Sequence, residues 1–186
     1  MPSPVSLEHG EEESNIGAWL GVYKAHTPGC GSAHNVTTLM HDEETPQPDL
    51  NLRILPEYGG ASWTEGKYLA GAPELLAEIC RSSAAYDLHQ KFELYEEAGV
   101  QEYLAVLIYE REIRWHMLKR KRYVALEPDK DKVWRSRVFP GLWLDGPAFL
   151  AGNLATVLAR LNEGLSSPEH RQFVDKLAAR KKEPRR

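Results

Sequence analysis

Three residue types spread across the middle of the chain, at Asp49, Glu78 and Lys91, are those needed to hydrolyse a phosphodiester with a divalent cation. Glu78 is the most informative. It stands inside Leu75-Leu76-Ala77-Glu78-Ile79-Cys80, an apolar run introduced by Pro73, whose proline start and brevity favour a strand over a buried helix. On a strand, Leu76, Glu78 and Cys80 share one face and Leu75, Ala77 and Ile79 the other, so the carboxylate has apolar neighbours. Leaving it there without a partner is costly, and Glu78 must be hydrogen-bonded, paired with a cation or bound to a metal.

Lys91 follows on a helix where Asp87, four residues earlier, shares its face. Taken singly, Lys91 can snorkel to solvent beside Leu88 and Phe92, and Asp49 can be a turn residue after Pro48. Taken together, an aspartate on one strand, a glutamate on the next and a nearby amine divide the tasks of phosphodiester hydrolysis. A hard cation such as magnesium prefers oxygen ligands, commonly one or two carboxylates with waters and substrate phosphate. A lysine beside it can orient water or stabilise developing charge.

The elements that must position these groups follow from periodicity. Ile16, Trp19, Leu20 and Tyr23 recur at helical spacing over residues 6–25, with Ser6 as N-cap. Residues 27–31, rich in Gly and Pro, read as a loop, and a short strand follows near residues 36–40. Leu50, Leu52 and Ile54 alternate with Asn51 and Arg53 in a strand that starts at Asp49 and is stopped by Pro56. Residues 59–71 read as a connection. Ala85, Leu88, Phe92, Tyr95 and Ala98 form the stripe of a helix over residues 84–98, closed by Gly99. Residues 102–109 form a buried strand, and Ile113 to Met117 and Tyr123 to Leu126 form a hairpin turned by Lys119 to Arg122. Another strand spans residues 133–139. Helices follow over residues 147–161 and 168–179, the latter with Ser167 as N-cap and Pro168 at its first position. This order describes an α/β mixed sheet flanked by helices.

Within this frame several motifs resemble one family. Pro48-Asp49 before a strand, the run from Pro73 to Ile79, Asp87 with Lys91 and Tyr95, Gly99-Val100-Gln101-Glu102-Tyr103-Leu104, and Val138-Phe139-Pro140-Gly141-Leu142-Trp143-Leu144-Asp145 together resemble the Uma-two family of bacterial endonucleases. The resemblance covers roughly residues 6 to 146. It implies the PD-(D/E)XK restriction-endonuclease-like fold, with Asp49 and Glu78 as ligands of Mg or Mn, Lys91 as the catalytic lysine and DNA as substrate. The usual motif sets its lysine two residues after the glutamate, where this chain has Cys80. The family supplies the lysine from the following helix, and Lys91 matches that position. The chain also begins almost at its first helix, without the segment that precedes it in such relatives. Glu8 and His9 could approach the metal site, but a solvated helix N-terminus explains both.

With 186 residues, the chain suits one restriction-endonuclease-like domain over residues 1–146 plus a helical C-terminal extension with a basic tail over residues 147–186. A formal charge of −4 argues against non-specific coating of nucleic acid. Cys30 and Cys80 lack the spacing of a disulfide framework or zinc ribbon and are expected as reduced thiols. With neither a secretory signal nor a membrane-spanning stretch, the expectation is a cytoplasmic protein without membrane partners. A homodimer is the base-rate oligomer. Two other readings stay open: a nuclease-like domain that no longer cuts and serves as a binding or assembly module, which Cys80 suits, and a weakly signalled zinc site from Cys30, His34 and His41. His116 reads as a hairpin surface residue.

Overall fold

The computed structural model describes residues 6–40, 44–81 and 86–181, with the side chains of residues 86–88 left aside. His41, Asp42, Glu43, the start of the Lys91 helix, the side chain of Asp87 and most of the basic tail therefore lie outside the described residues.

Helix α1 (Leu7–His26) starts where Ser6 accepts a hydrogen bond from the His9 amide at 3.3 Å, and it buries Ile16, Trp19, Leu20 and Tyr23. Five strands of the main sheet then appear as β1 (Cys30–His34), β3 (Leu50–Ile54), β6 (Leu75–Cys80), β7 (Glu102–Leu107) and β8 (Glu112–Lys119). With β9 (Arg122–Ala125) they form a six-stranded sheet in the order β1-β3-β6-β7-β8-β9. Within this sheet, among the described residues, only the β6–β7 pair is parallel. A parallel pair needs a crossover, and α2 (Tyr86–Ala98) provides it.

With α2 on one face and α1 on the other, the central strands are sealed on both sides. Leu75, Ala77, Ile79, Leu104 and Val106 join Trp19, Leu20 and Tyr23 in the main core. The alternate positions Leu76, Tyr103, Ala105 and Leu107 join Tyr95 and Val100 in a second cluster beneath α2. Helices α3 (Gly146–Leu150), α4 (Leu154–Leu165) and α5 (Pro168–Arg180) bring Phe149, Val157, Leu161 and Leu177 into the same core as Trp19.

Four local expectations are corrected. The loop expected over residues 27–31 ends early, because Cys30 and Gly31 already belong to β1: Gly29, at φ +100°, makes the turn, and Gly31 lies close against Leu55 in the strand that pairs with β3. The connection over residues 59–71 contains a hairpin, β4 (Trp63–Glu65) and β5 (Tyr68–Ala70), and β5 pairs in parallel with β2 (Thr38–Leu39). The strand expected over residues 133–139 shortens to β10 (Val133–Arg135), paired with β11 (Trp143–Asp145). The helix expected over residues 147–161 is two helices, because Gly152 turns left-handed at φ +70° and Asn153 caps α4 through the Thr156 amide.

The third correction has a buried cause. Glu102 is fully covered, and its carboxylate accepts from the Ser136 hydroxyl at 2.8 Å and from the Arg137 and Val138 amides at 2.6 and 3.1 Å. The chain bends around this acceptor instead of extending. Glu74, 2% exposed, works similarly, accepting from the Ile54 and Ala61 amides at 2.8 and 3.0 Å. Replacing Glu102 with Ala would strand these donors, and urea unfolding should show a loss of about 3 kcal/mol or more, given about 1.5–3 per hydrogen bond to a charged group. A loss under about 1 kcal/mol would mean that residues 136–138 find other acceptors.

Candidate active site

The antiparallel register opposes Leu50 to Ala77, so one step further it sets Asp49 against Glu78. Asp49 is anchored there, with Oδ2 accepting from the Ile79 amide at 2.6 Å. The aspartate thus stands at the head of β3, tied to the residue beside Glu78. Its other oxygen, Oδ1, is 3.8 Å from Nε2 of His9, which comes from the first turn of α1.

Glu78 is 2% exposed and meets α2 through both oxygens. Oε2 accepts from Lys91 Nζ at 2.7 Å, and Oε1 accepts from the Tyr95 hydroxyl at 2.7 Å. Lys91 and Tyr95 are four residues apart and hence neighbours on one helix face. The lysine side chain keeps 29% of its surface exposed, so the cluster has an open side. The three sequence-predicted residues are therefore brought together, with Asp49 and Glu78 on adjacent strands and Lys91 on the crossover helix.

The partners of Glu78 set it apart from Glu74 and Glu102. Those two hold backbone amides and so fix loops, whereas the hydrogen bonds to the Glu78 carboxylate come from side chains that can rearrange. Burial pushes Glu78 up to about 7, against the opposing pull of Lys91, while the nearby Asp49 charge adds to the rise. Burial alone would lower the Lys91 ammonium, but the carboxylates of Glu78 and Asp49 outweigh it and hold Lys91 above its ordinary value. Tyr95 is driven up by burial and by Glu78, so it remains a hydrogen-bond donor.

Two participants escaped the sequence reading. Tyr95 was read there in an apolar stripe and beside Lys91 in the family motif but given no role, although its position one turn after Lys91 was the available signal. His9 was explained as a solvated helix start; Glu8 is indeed exposed, but the His9 side chain is only 18% exposed and faces Asp49. Cys80 is partly buried on the Glu78 face of β6 and adds to the electrostatic field on Lys91. Cys30 and His34 do not form a common site: Cys30 is packed in the core, where burial pushes its thiol up to about 12, and exposed His34 meets Glu13 at 3.4 Å. Among the described residues no three His, Cys, Asp or Glu side chains converge as a metal cage. His116 is half-buried against Phe92, Tyr103 and Tyr123, not a surface residue of the hairpin.

The Uma2 family model, described as "Putative restriction endonuclease", matches residues 1–147, which include Asp49, Glu78 and Lys91. The solved structure of "a putative nuclease belonging to DUF820 from Anabaena variabilis ATCC 29413" is similar at TM-score 0.56 and 12% identity, over 86% of this chain and 84% of that chain. At this identity the likeness concerns the fold, a mixed sheet flanked by helices. No curated protein matches the chain in sequence. Among the described residues no helix is long and apolar enough to cross a membrane.

The raised pKa of Glu78 makes stability depend on pH. In the metal-free protein the folded state keeps the Glu78 proton from the ordinary 4.5 up to about 7, whereas the unfolded chain has released it. Stability contributed by the protonated form is therefore lost as pH rises through that window. In chelator, the stability of the wild type relative to Glu78→Gln should decline between these pH values when urea midpoints are compared. A difference that grows with pH would show that Lys91 and Tyr95 favour the ionised carboxylate more than burial opposes it.

Proposed function

This chain belongs to the Uma2 family, and we propose that it is a nuclease that hydrolyses phosphodiester bonds of DNA with a magnesium or manganese ion held by Asp49 and Glu78. The observation that carries this reading is the ionisable triplet itself: a buried carboxylate bonded to an amine, with a second carboxylate tied to the adjoining backbone. A purely stabilising role explains it poorly, because an apolar residue packs at least as well as a buried ion pair.

The donor set suits a hard cation. Each Glu78 oxygen accepts one hydrogen bond and keeps further lone-pair capacity, and Asp49 Oδ1 has only the longer contact to His9. Two carboxylates with water and phosphate completing the shell satisfy magnesium or manganese. When bound, such an ion polarises a phosphoryl oxygen and acidifies water.

The protein's own groups then have separate tasks. The Ile79 amide aims Asp49, and Tyr95 aims Glu78. Lys91, held protonated at neutral pH, acts as a donor and positive charge toward attacking water or the developing phosphorane, not as a base. His9 supports Asp49 from the opposite side.

A second reading, a nuclease-like binding module that does not cut, draws on Cys80 at the position where many relatives of this fold carry lysine. Supercoiled plasmid with manganese separates the two. Wild-type protein should nick it, Glu78→Ala should abolish nicking, and Lys91→Ala should slow it by about 10²–10³-fold, the cost of losing one preorganised charge donor. Equal nicking by wild type and Glu78→Ala would assign the activity to a contaminant. Absence of both nicking and calorimetric manganese binding would favour the non-cutting module.

A further inference from the structure

Beside Glu78 lies a recess with no part in the chemistry above. The register runs across the sheet from Glu78 to Ala105 to Arg114, so Ala105, whose small side chain lines the recess, stands on the neighbouring strand with its backbone about 4.8 Å from that of Glu78. Tyr103 and His116, cross-strand partners on the same face, lie nearly parallel with centroids 6.5 Å apart and also line the recess, Tyr103 fully buried and His116 half-buried. Phe92, which follows Lys91 on α2, stands at 69° to Tyr103 and 88° to His116 and forms a wall. His89 and Arg114 complete the lining of a cavity of about 210 Å³.

Two polar atoms in this aromatic setting have no hydrogen-bond partner among the described residues: the hydroxyl of fully buried Tyr103 and Nδ1 of His116. Buried polar groups are normally satisfied, so these two atoms leave unused hydrogen-bonding capacity among the residues that line the recess. Arg114 Nε and Nη2 are engaged by Glu112, each at 2.9 Å, so its positive charge is oriented at the rim.

We propose that this recess binds one unpaired nucleobase of the strand whose phosphodiester enters the Asp49–Glu78–Lys91 site, an inference that rests on the reading of that site as a phosphodiester-cutting centre. The volume lies below the roughly 300 Å³ at which pockets for drug-sized ligands begin, and it suits a single planar ring system. Aromatic surfaces bind bases by stacking regardless of sequence. A paired base has both faces and its pairing edge occupied, so only a splayed or single-stranded nucleotide can enter. The spacing from Glu78 is short enough for the base of a nucleotide next to the scissile phosphate. The substrate class is therefore nucleic acid with a single-stranded or locally opened segment.

The test is fluorescence anisotropy in chelator, where no cutting occurs, using a short labelled single strand, the same strand with abasic residues at its centre, and the blunt duplex. The base-containing strand should bind about tenfold tighter than the abasic strand, in line with the loss of one stacked base, and tighter than the duplex. Phe92→Ala and His116→Ala, each checked for an intact fold by circular dichroism, should each remove that advantage while leaving abasic binding unchanged. The comparison of strands needs no variant and so stands if either fails to fold. Deoxyribose and ribose versions show which nucleic acid supplies the base. Equal binding of base-containing and abasic strands, or variants that weaken both alike, would overturn the proposal. Base-dependent binding without plasmid cleavage would remove the cutting centre and keep the recess, and cleavage without base-dependent binding would do the reverse.

Discussion

A carboxylate sealed beneath a helix has to be answered by that helix, and this requirement organises the centre of the molecule. Glu78 sits on the only parallel pair of the main sheet, where the crossover helix must cover the strand it leaves. The cover brings Lys91 and Tyr95 onto the two oxygens. Without them, the buried charge would cost several kcal/mol, of the order of 3–5 for a broken buried pair. The same packing that puts β6 and β7 at the centre of the fold thus holds Glu78 against an amine and a phenol.

The two faces of β6 divide structure from chemistry by simple alternation. Leu75, Ala77 and Ile79 point to the core shared with α1 and the C-terminal helices, while Leu76, Glu78 and Cys80 point toward α2. The α2 side has a smaller cluster rich in aromatic rings, where the Tyr103 hydroxyl and His116 Nδ1 have no partner among the described residues. The main core and the candidate site are therefore built on opposite sides of the same strand.

How much of this was legible depends on the kind of signal. Glu78 was legible because a charged residue inside an apolar strand violates burial rules, and Lys91 because helical spacing put it on a definable face. The strands β3 and β6 and the helices α1, α2 and α5 carried strong periodicity or caps. Asp49 needed the antiparallel register, which pairs it with residue 78 across almost thirty intervening positions and which no local pattern encodes. His9 lies farther still, and the ordinary explanation of a helix start concealed it. Short strands such as β1 and β4 were missed because their glycines resemble loop punctuation, and β10 was drawn too long because the acceptor that bends residues 136–138 is the distant Glu102. These are long-range effects, and a one-dimensional pattern does not contain them.

Helix α1 connects regions that the chain order keeps apart. Its 20 residues form a rod about 30 Å long at 1.5 Å per residue. At one end His9 touches Asp49. Near the other, Tyr23 donates to the Pro140 carbonyl at 3.0 Å, and Thr27, which follows the helix, meets His170 at 3.0 Å. One stiff element thus joins the first-turn imidazole beside Asp49 to the C-terminal helices, so the seat of that imidazole is built partly from the far pole of the molecule.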